Sequence, residues 1–343
     1  MNKNTLPDNI LNMPKVELHL HLEGAFTFEY LFGLVQKYGG DPEVNSIDDL
    51  KKKFVFTDFQ NFIKAWFWKN KFFRRPEDFE ESVYQTIADL SKQKIIYAET
   101  FFSPWDFASS GLRMEEITEA TISGMQRAVS DFPIRCNLVA DIVRDHGAET
   151  AMQRLDQLMP YLHNGVTGVG LGGNERDFPA VLFKDVFIEA KKRGFRTAVH
   201  AGEAAGPESV WSAIKDLYAE RIGHGVRAVE DPALMDYLKT NKIPLEVCIT
   251  SNLQTKVFNT LEEHPFDRMY KEGFMVTVNS DDPPMFGANL TDEFALLYNK
   301  MNYTLEDFFT LARNAINSSF AEETEKEGLR RIVNIYAGFI NHF

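Results

Sequence analysis

Cysteine is scarce: Cys136 and Cys248 are the two thiols in 343 residues. That excludes a disulfide framework and a thiolate zinc cluster, and it fits a reducing, cytoplasmic setting. Any metal must therefore be held by nitrogen and oxygen. Positive charge is also short, with 37 Lys and Arg against 50 Asp and Glu and a formal net charge of −13. Without a basic stripe, a nucleic-acid partner is excluded. The short basic clusters at Lys51 to Lys53 and Lys69 to Arg75 read as solvated surface. No apolar run is long enough to span a bilayer, and MNKNTLPDNILN lacks the apolar core of a secretory signal, so no membrane role is expected. Internal repeats, low-complexity tracts and Gly/Ser-rich linkers are absent as well.

What is present is alternation. From about residue 90, short β-rich runs (IIYAETFF, IRCNLVADIV, GVTGVGLGG, FRTAVHAGE, ERIGHG, IPLEVCITSN, FMVTVNSDD) are separated by segments of helical period. In Met114 to Phe132, for example, Ile117, Ala120, Ile122, Met125 and Val129 lie near one stripe. With VELHLHL the strand candidates number eight, the count for a (β/α)8 TIM-type barrel, read here as one domain over 1–343. Some seventy residues separate the first two strands, giving a helical insertion over about 27–94. It contains FEYLFGLVQKYGG, a helix opened by a capping Thr57 or Asp58, and RPEDFEESVYQTIADLSKQ. Most of its large apolar residues, clustered at Phe59, Phe62, Ile63, Trp66 and Phe67, are expected to pack the insertion onto the barrel. One or two, with Phe62 and Trp66 the candidates, are expected to face a ligand pocket. Extra helices follow from Thr304, with a charged, solvated stretch over Glu322 to Arg331.

The stretch MPKVELHLHLEGA carries the first chemical signal. In a strand, residues two apart share a face, so His19 and His21 point the same way. Taken alone, the pair fits half a metal site or a half-buried strand with alternating histidines. Further along, His200 closes FRTAVH, His224 stands in RIGHG, and Asp281 and Asp282 end the last strand. The carboxyl ends of barrel strands are where sites are built. His146, His163, His264 and His342 sit in loop or terminal contexts and are not expected to be ligands. Around one barrel mouth, His19, His21, His200 and Asp281 supply three imidazoles and a carboxylate, a set suited to one Zn²⁺ per chain with a position open to water. Zinc can bring the pKa of such a water from 15.7 to about 7. Glu203, His224 and Asp282 are left for proton transfer and substrate orientation.

HLHLEGA, LGGNE, HAGEAAGPESVW, RIGHG, CITSN and SDDPP occur in an order and spacing that resemble the adenosine deaminase family of the amidohydrolase superfamily, from about Pro14 to the helix after Asp292. The resemblance implies hydrolysis of a purine 6-amino group. It makes His19, His21, His200 and Asp281 the zinc ligands, Glu203 the acid that protonates N1, and His224 the residue that steers or deprotonates the attacking water. Asp282 matches the contact to N7, the backbone of Gly173 the contact to N3, and Glu23 the acid that binds the sugar. Family members often carry Asp at the Glu23 position and Pro after the cysteine of CITSN. The implied partner is a small 6-aminopurine nucleoside, adenosine or deoxyadenosine. Free adenine and aminodeoxyfutalosine are the alternatives, ahead of an ester, lactone or phosphotriester hydrolase or a non-enzymatic metal-binding protein. The oligomeric state is not readable.

Overall fold

The computed structural model describes residues 6–56 and 59–340, without the side chains of Phe59, Gln60 and Ser109. The capping role of Thr57 or Asp58, and His342, fall outside the described residues. Eight parallel strands run in sequence order: β1 (Lys15–Glu17), β2 (Ile95–Phe102), β3 (Arg135–Asp141), β4 (Val166–Leu171), β5 (Arg196–Ala201), β6 (Arg221–His224), β7 (Leu245–Val247) and β8 (Val276–Val278). Each is paired with the next. Amphipathic helices such as Met114–Asp131 and Lys184–Arg193 return the chain between strands. The result is a (β/α)8 barrel.

The barrel closes just beyond the ends of β1 and β8. Asp281 N donates to His19 O at 3.0 Å, and His21 N donates to Asp281 O at 3.0 Å. Ser280 N and Oγ donate to the buried Glu17 carboxylate at 3.1 and 2.9 Å. This seam accounts for a difference from the expected first strand. Regular pairing of VELHLHL stops at Glu17, and the two histidines lie in the extended segment that bridges both neighbours, through Leu20 to Asp281 and His21 to Phe101. IPLEVCITSN differs likewise. Its strand ends at Val247, and Ile249–Gln254 is a helix, so Ser251 and Asn252 sit on a first helical turn above the barrel.

Between β1 and β2, the helix Phe28–Lys37 starts on Thr27, whose hydroxyl accepts from Tyr30 N, and stops at Gly39 and Gly40, both at positive φ. Ile47–Lys52, Phe59–Asn70 and Pro76–Lys92 follow. These helices share an apolar cluster of their own, with Phe26, Leu31, Phe54, Phe72, Phe73, Phe79 and Phe107 buried. Most of the insertion's phenylalanines are spent there. One sequence expectation fails: Lys69 is fully buried rather than solvated, with Nζ 2.8 Å from Asn70 Oδ1 and 3.8 Å over the Trp66 ring. After β8, Thr304 caps Leu305–Ser318, and Glu323–Ile340 closes the described chain. Among the described residues no helix is long and apolar enough to cross a membrane.

Candidate active site

A cavity of about 620 Å³ opens at the carboxyl ends of the strands. His21 and His200 line it, and with the fully buried His19 their imidazoles converge, with their ligand atoms within 4.8 Å of one another. His21 Nε2 lies 3.1 Å from His200 Nε2 and 3.4 Å from Asp281 Oδ1, while His19 Nε2 lies 3.5 Å from that same oxygen. Asp281 Oδ2 accepts from Ser251 Oγ at 2.6 Å. His19 Nε2 has no hydrogen-bond partner among the described residues. Two ring nitrogens facing each other beside a carboxylate, with a third unpaired, form a donor set that fits a divalent cation.

The surrounding charges point the same way. Burial works against a protonated His19, but Asp281 and Glu246 outweigh it and lift the ring to about 10. Burial also opposes ionisation of Asp281, yet the close imidazole of His19 and the neighbouring rings of His224 and His21 hold its carboxyl well below the usual range. His21 is pushed down to about 3 by burial, so its lone pair stays available at neutral pH. The floor thus demands positive charge. Backing residues hold the rings in place: Glu246 Oε2 lies 2.8 Å from His19 Nδ1, and the buried Arg144 donates from Nη2 to the His200 carbonyl at 2.7 Å.

Glu203 stands on the loop after β5. The residue that shapes this loop is Glu175 of LGGNE, whose carboxylate accepts from the backbone N–H groups of Gly202, Glu203, Ala204 and Ala205 at 2.5 to 3.2 Å. Burial, then the charges of Asp281 and Glu175, raise the Glu203 carboxyl to about 8. His224, at the end of β6 with φ 60°, places Nε2 3.6 Å from Glu203 Oε2 and 4.0 Å from Asp281 Oδ2. Asp282 lines the cavity with a buried Oδ1 that lacks a hydrogen-bond partner among the described residues, and burial together with Asp281 raises its carboxyl well above the ordinary value. Gly24 makes room for it, since a Cβ there would lie 1.6 Å from Asp282 Oδ1.

Gly173, at φ 91°, also lines the cavity, as do Phe62 and Trp66. Phe62 stacks on Phe286 with centroids 5.3 Å apart, and Trp66 Nε1 donates to Asp106 Oδ2 at 3.1 Å. Glu23 is placed differently. One oxygen of its buried carboxylate, Oε1, accepts from Ser103 N at 2.7 Å, while Oε2 has no hydrogen-bond partner among the described residues. Burial raises the Glu23 carboxyl to about 7, and Lys69 is its cationic neighbour.

Sequence reasoning missed a second tier of residues. Asp106, Asp141, Asp145 and His146 line the cavity, with His146 Nε2 2.8 Å from Asp106 Oδ1. Lys69, Glu246 and Asn252 lie behind it. Loop acids in WDF and RDH give no signal, because their approach depends on how two distant loops fold over the mouth.

A family model described as adenosine deaminase matches residues 14–336. The chain is 34% identical to an aminodeoxyfutalosine deaminase of Streptomyces avermitilis, over 95% of this chain and 92% of that protein. It is also 34% identical to an adenosine deaminase of Yersinia pseudotuberculosis, over 93% and 96%. The crystal structure of an adenine deaminase from Arthrobacter aurescens superposes with a TM-score of 0.90 at 30% identity, covering 95% of this chain and 99% of that one.

Proposed function

We propose, from the premise that this chain belongs to the adenosine deaminase family and is a hydrolytic deaminase acting on C–N bonds, that it converts adenosine and deoxyadenosine to their 6-oxo products and ammonia. The observation that carries the nucleoside reading is the extent of the cavity. About 620 Å³ continues from the histidine cluster past Phe62, Asp106 and His146, a size that encloses whole drug-sized ligands (roughly 300–1,000 Å³). Its acidic wall and its single basic rim residue, Lys64, among the described residues suit a neutral, hydroxyl-bearing substituent and oppose a phosphate.

His19, His21, His200 and Asp281 would hold one zinc ion. When bound, the metal supplies Lewis acidity that brings a water's pKa toward neutrality. The chain does the rest. Glu203, kept protonated by its surroundings, donates to N1, which draws electrons from C6 as the water oxygen adds there. As C6 becomes a carbonyl that oxygen gives up two protons: one leaves on the 6-amino group as ammonia, and the other restores the Glu203 acid, N1 keeping the proton it received. Asp282, whose ionisation burial and Asp281 disfavour, donates to N7, and the Gly173 N–H serves N3, so three ring acceptors meet three donors. Trp66, Phe62 and Phe286 cover the apolar faces.

A second reading, free adenine, is favoured by Glu23. One oxygen of the acid expected to meet the sugar is already taken by Ser103 N, which leaves it fewer acceptor sites for a ribose hydroxyl. Ammonia release from adenosine, deoxyadenosine, adenine and aminodeoxyfutalosine, compared by kcat/KM, tests the proposal. A preference for adenine or aminodeoxyfutalosine overturns the nucleoside assignment.

A further inference from the structure

Behind His224 a file of polar contacts runs in one direction. Phe266 N lies 3.2 Å from His264 Nδ1, His264 Nε2 lies 3.2 Å from Asn252 Oδ1, and Asn252 Nδ2 lies 3.1 Å from His224 Nδ1. All three side chains are buried. Taken singly, an amide rotamer or a ring tautomer is reversible by inspection. A backbone N–H is not, because it only donates.

The direction therefore propagates from Phe266. Its N–H makes His264 Nδ1 an acceptor, so the His264 proton sits on Nε2. That proton needs an acceptor, which orients the Asn252 amide with its oxygen toward His264 and its NH₂ toward His224. The NH₂ in turn needs an acceptor, so His224 Nδ1 carries a lone pair and the ring's proton is on Nε2. Reversing any member sets two donors, or two lone pairs, against each other in a buried space, at the cost of a hydrogen bond there. His264 stays neutral at working pH, since burial holds it down to about 3.

We propose that His264 is a positioning residue which, through Asn252, fixes the tautomer in which His224 presents an Nε2–H to the reaction cavity. The claim rests on the reading of His224 as a residue of the deaminase site. An Nε2–H there holds the attacking oxygen by one of its lone pairs and does not take that oxygen's proton. This assigns steering, rather than deprotonation, to His224. His264 has no part in metal binding or substrate contact; its influence is exerted two hydrogen bonds away.

The test is NMR of the full-length, zinc-loaded protein carrying isotopically labelled histidine, in which two-bond nitrogen–proton couplings report the tautomer of each ring without substrate. His224 is expected as the Nε2–H form. Asn252→Asp, equal in shape but an acceptor on both sides, is expected to put a proton on His224 Nδ1. His264→Leu is expected to give a mixture of tautomers and to lower kcat at least about tenfold with little change in KM. The wrong imidazole tautomer costs a serine protease ~10⁴-fold. His264→Gln, able to accept from Phe266 and donate to Asn252, is expected to restore both the Nε2–H form and most of kcat. A wild-type His224 protonated on Nδ1, or an Nε2–H form that persists in both Asn252→Asp and His264→Leu, overturns the proposal. If Asn252→Asp does not fold, the Leu and Gln variants at His264 decide. Failure of the deaminase reading is separate: it would show as no ammonia from the wild-type enzyme, whatever the tautomer.

Discussion

Nδ1 of His19 lies 2.8 Å from Oε2 of Glu246, with both side chains fully buried. The contact aims His19 Nε2 at the cavity floor, and Glu246 is itself anchored by Arg221 Nε at 2.5 Å from its other oxygen. Carboxylates that orient a metal-binding histidine are typically worth about 10- to 100-fold in metal affinity. Glu246→Gln is therefore expected to weaken zinc binding by about that factor without abolishing it. Competition against a chelator of known affinity measures it, and an unchanged dissociation constant would separate Glu246 from the site.

Removal of the metal should be complete in effect and reversible. Dialysis against a strong chelator is expected to abolish ammonia release, and one equivalent of zinc per chain to restore it. His200→Ala removes a donor that no neighbouring group can replace. Tight binding of a full equivalent by that variant, with normal turnover, would refute the ligand set.

Glu203→Gln keeps the shape of the loop and loses the proton. The expected loss in kcat is about 10²- to 10⁴-fold, with zinc retained. With its pKa raised to about 8 by burial, Glu203 is protonated at neutral pH, so kcat/KM should fall as pH rises through that region. A bound cation favours the carboxylate and moves this limb lower. Stability carries the same sign. A raised folded-state value gives a contribution fully present below the ordinary carboxylate range and lost as pH rises through about 8. Glu203→Gln should accordingly raise the Tm of the metal-free protein more at pH ~9 than at pH ~6. An equal shift at both would show that the carboxyl is not perturbed.

Gly24 answers a different question, namely why an acid in HLEG is followed by glycine. Its φ is not what matters; its missing side chain is. A methyl group there would lie 1.6 Å from Oδ1 and 2.5 Å from Cγ of Asp282, which is itself buried. Gly24→Ala must displace Asp282, and a misplacement of about 1 Å can cost ~10²-fold in rate. Metal content at one equivalent with kcat/KM reduced by about that factor is the expected pair of results. Unchanged kinetics would exclude Asp282 from substrate contact.

The sequence made the barrel and its floor readable for one reason: side chains at strand ends obey local rules. Residues two apart in an extended segment share a face, and the carboxyl ends of parallel strands share a rim, so His19, His21, His200, His224 and Asp281 could be gathered without knowing any contact. Glu246 could not, because its partner lies 227 residues away and the sequence around it reads as an ordinary buried strand. Asn252 reads as the end of a strand, since the β-prone Leu245, Val247, Cys248, Ile249 and Thr250 carry no break between the strand and the helix that starts at Ile249. Lys69 reads as solvated because a run of basic residues gives no sign of which one turns inward. Glu23 shows another limit: its place beside His21 gives no sign that one of its carboxylate oxygens accepts from the distant Ser103 N.

The hydrogen bonds that close the barrel join His19 and His21 to Asp281, so the last turn of assembly and the completion of the donor set are one event. A growing chain that has emerged only as far as β7 already contains three of the four proposed ligands, yet it has neither the fourth nor the seam that holds two of the others at their spacing. Zinc capture by the proposed four-donor site would therefore have to await the end of the barrel, and tight uptake of the ion would report that the chain's first and last strands have met.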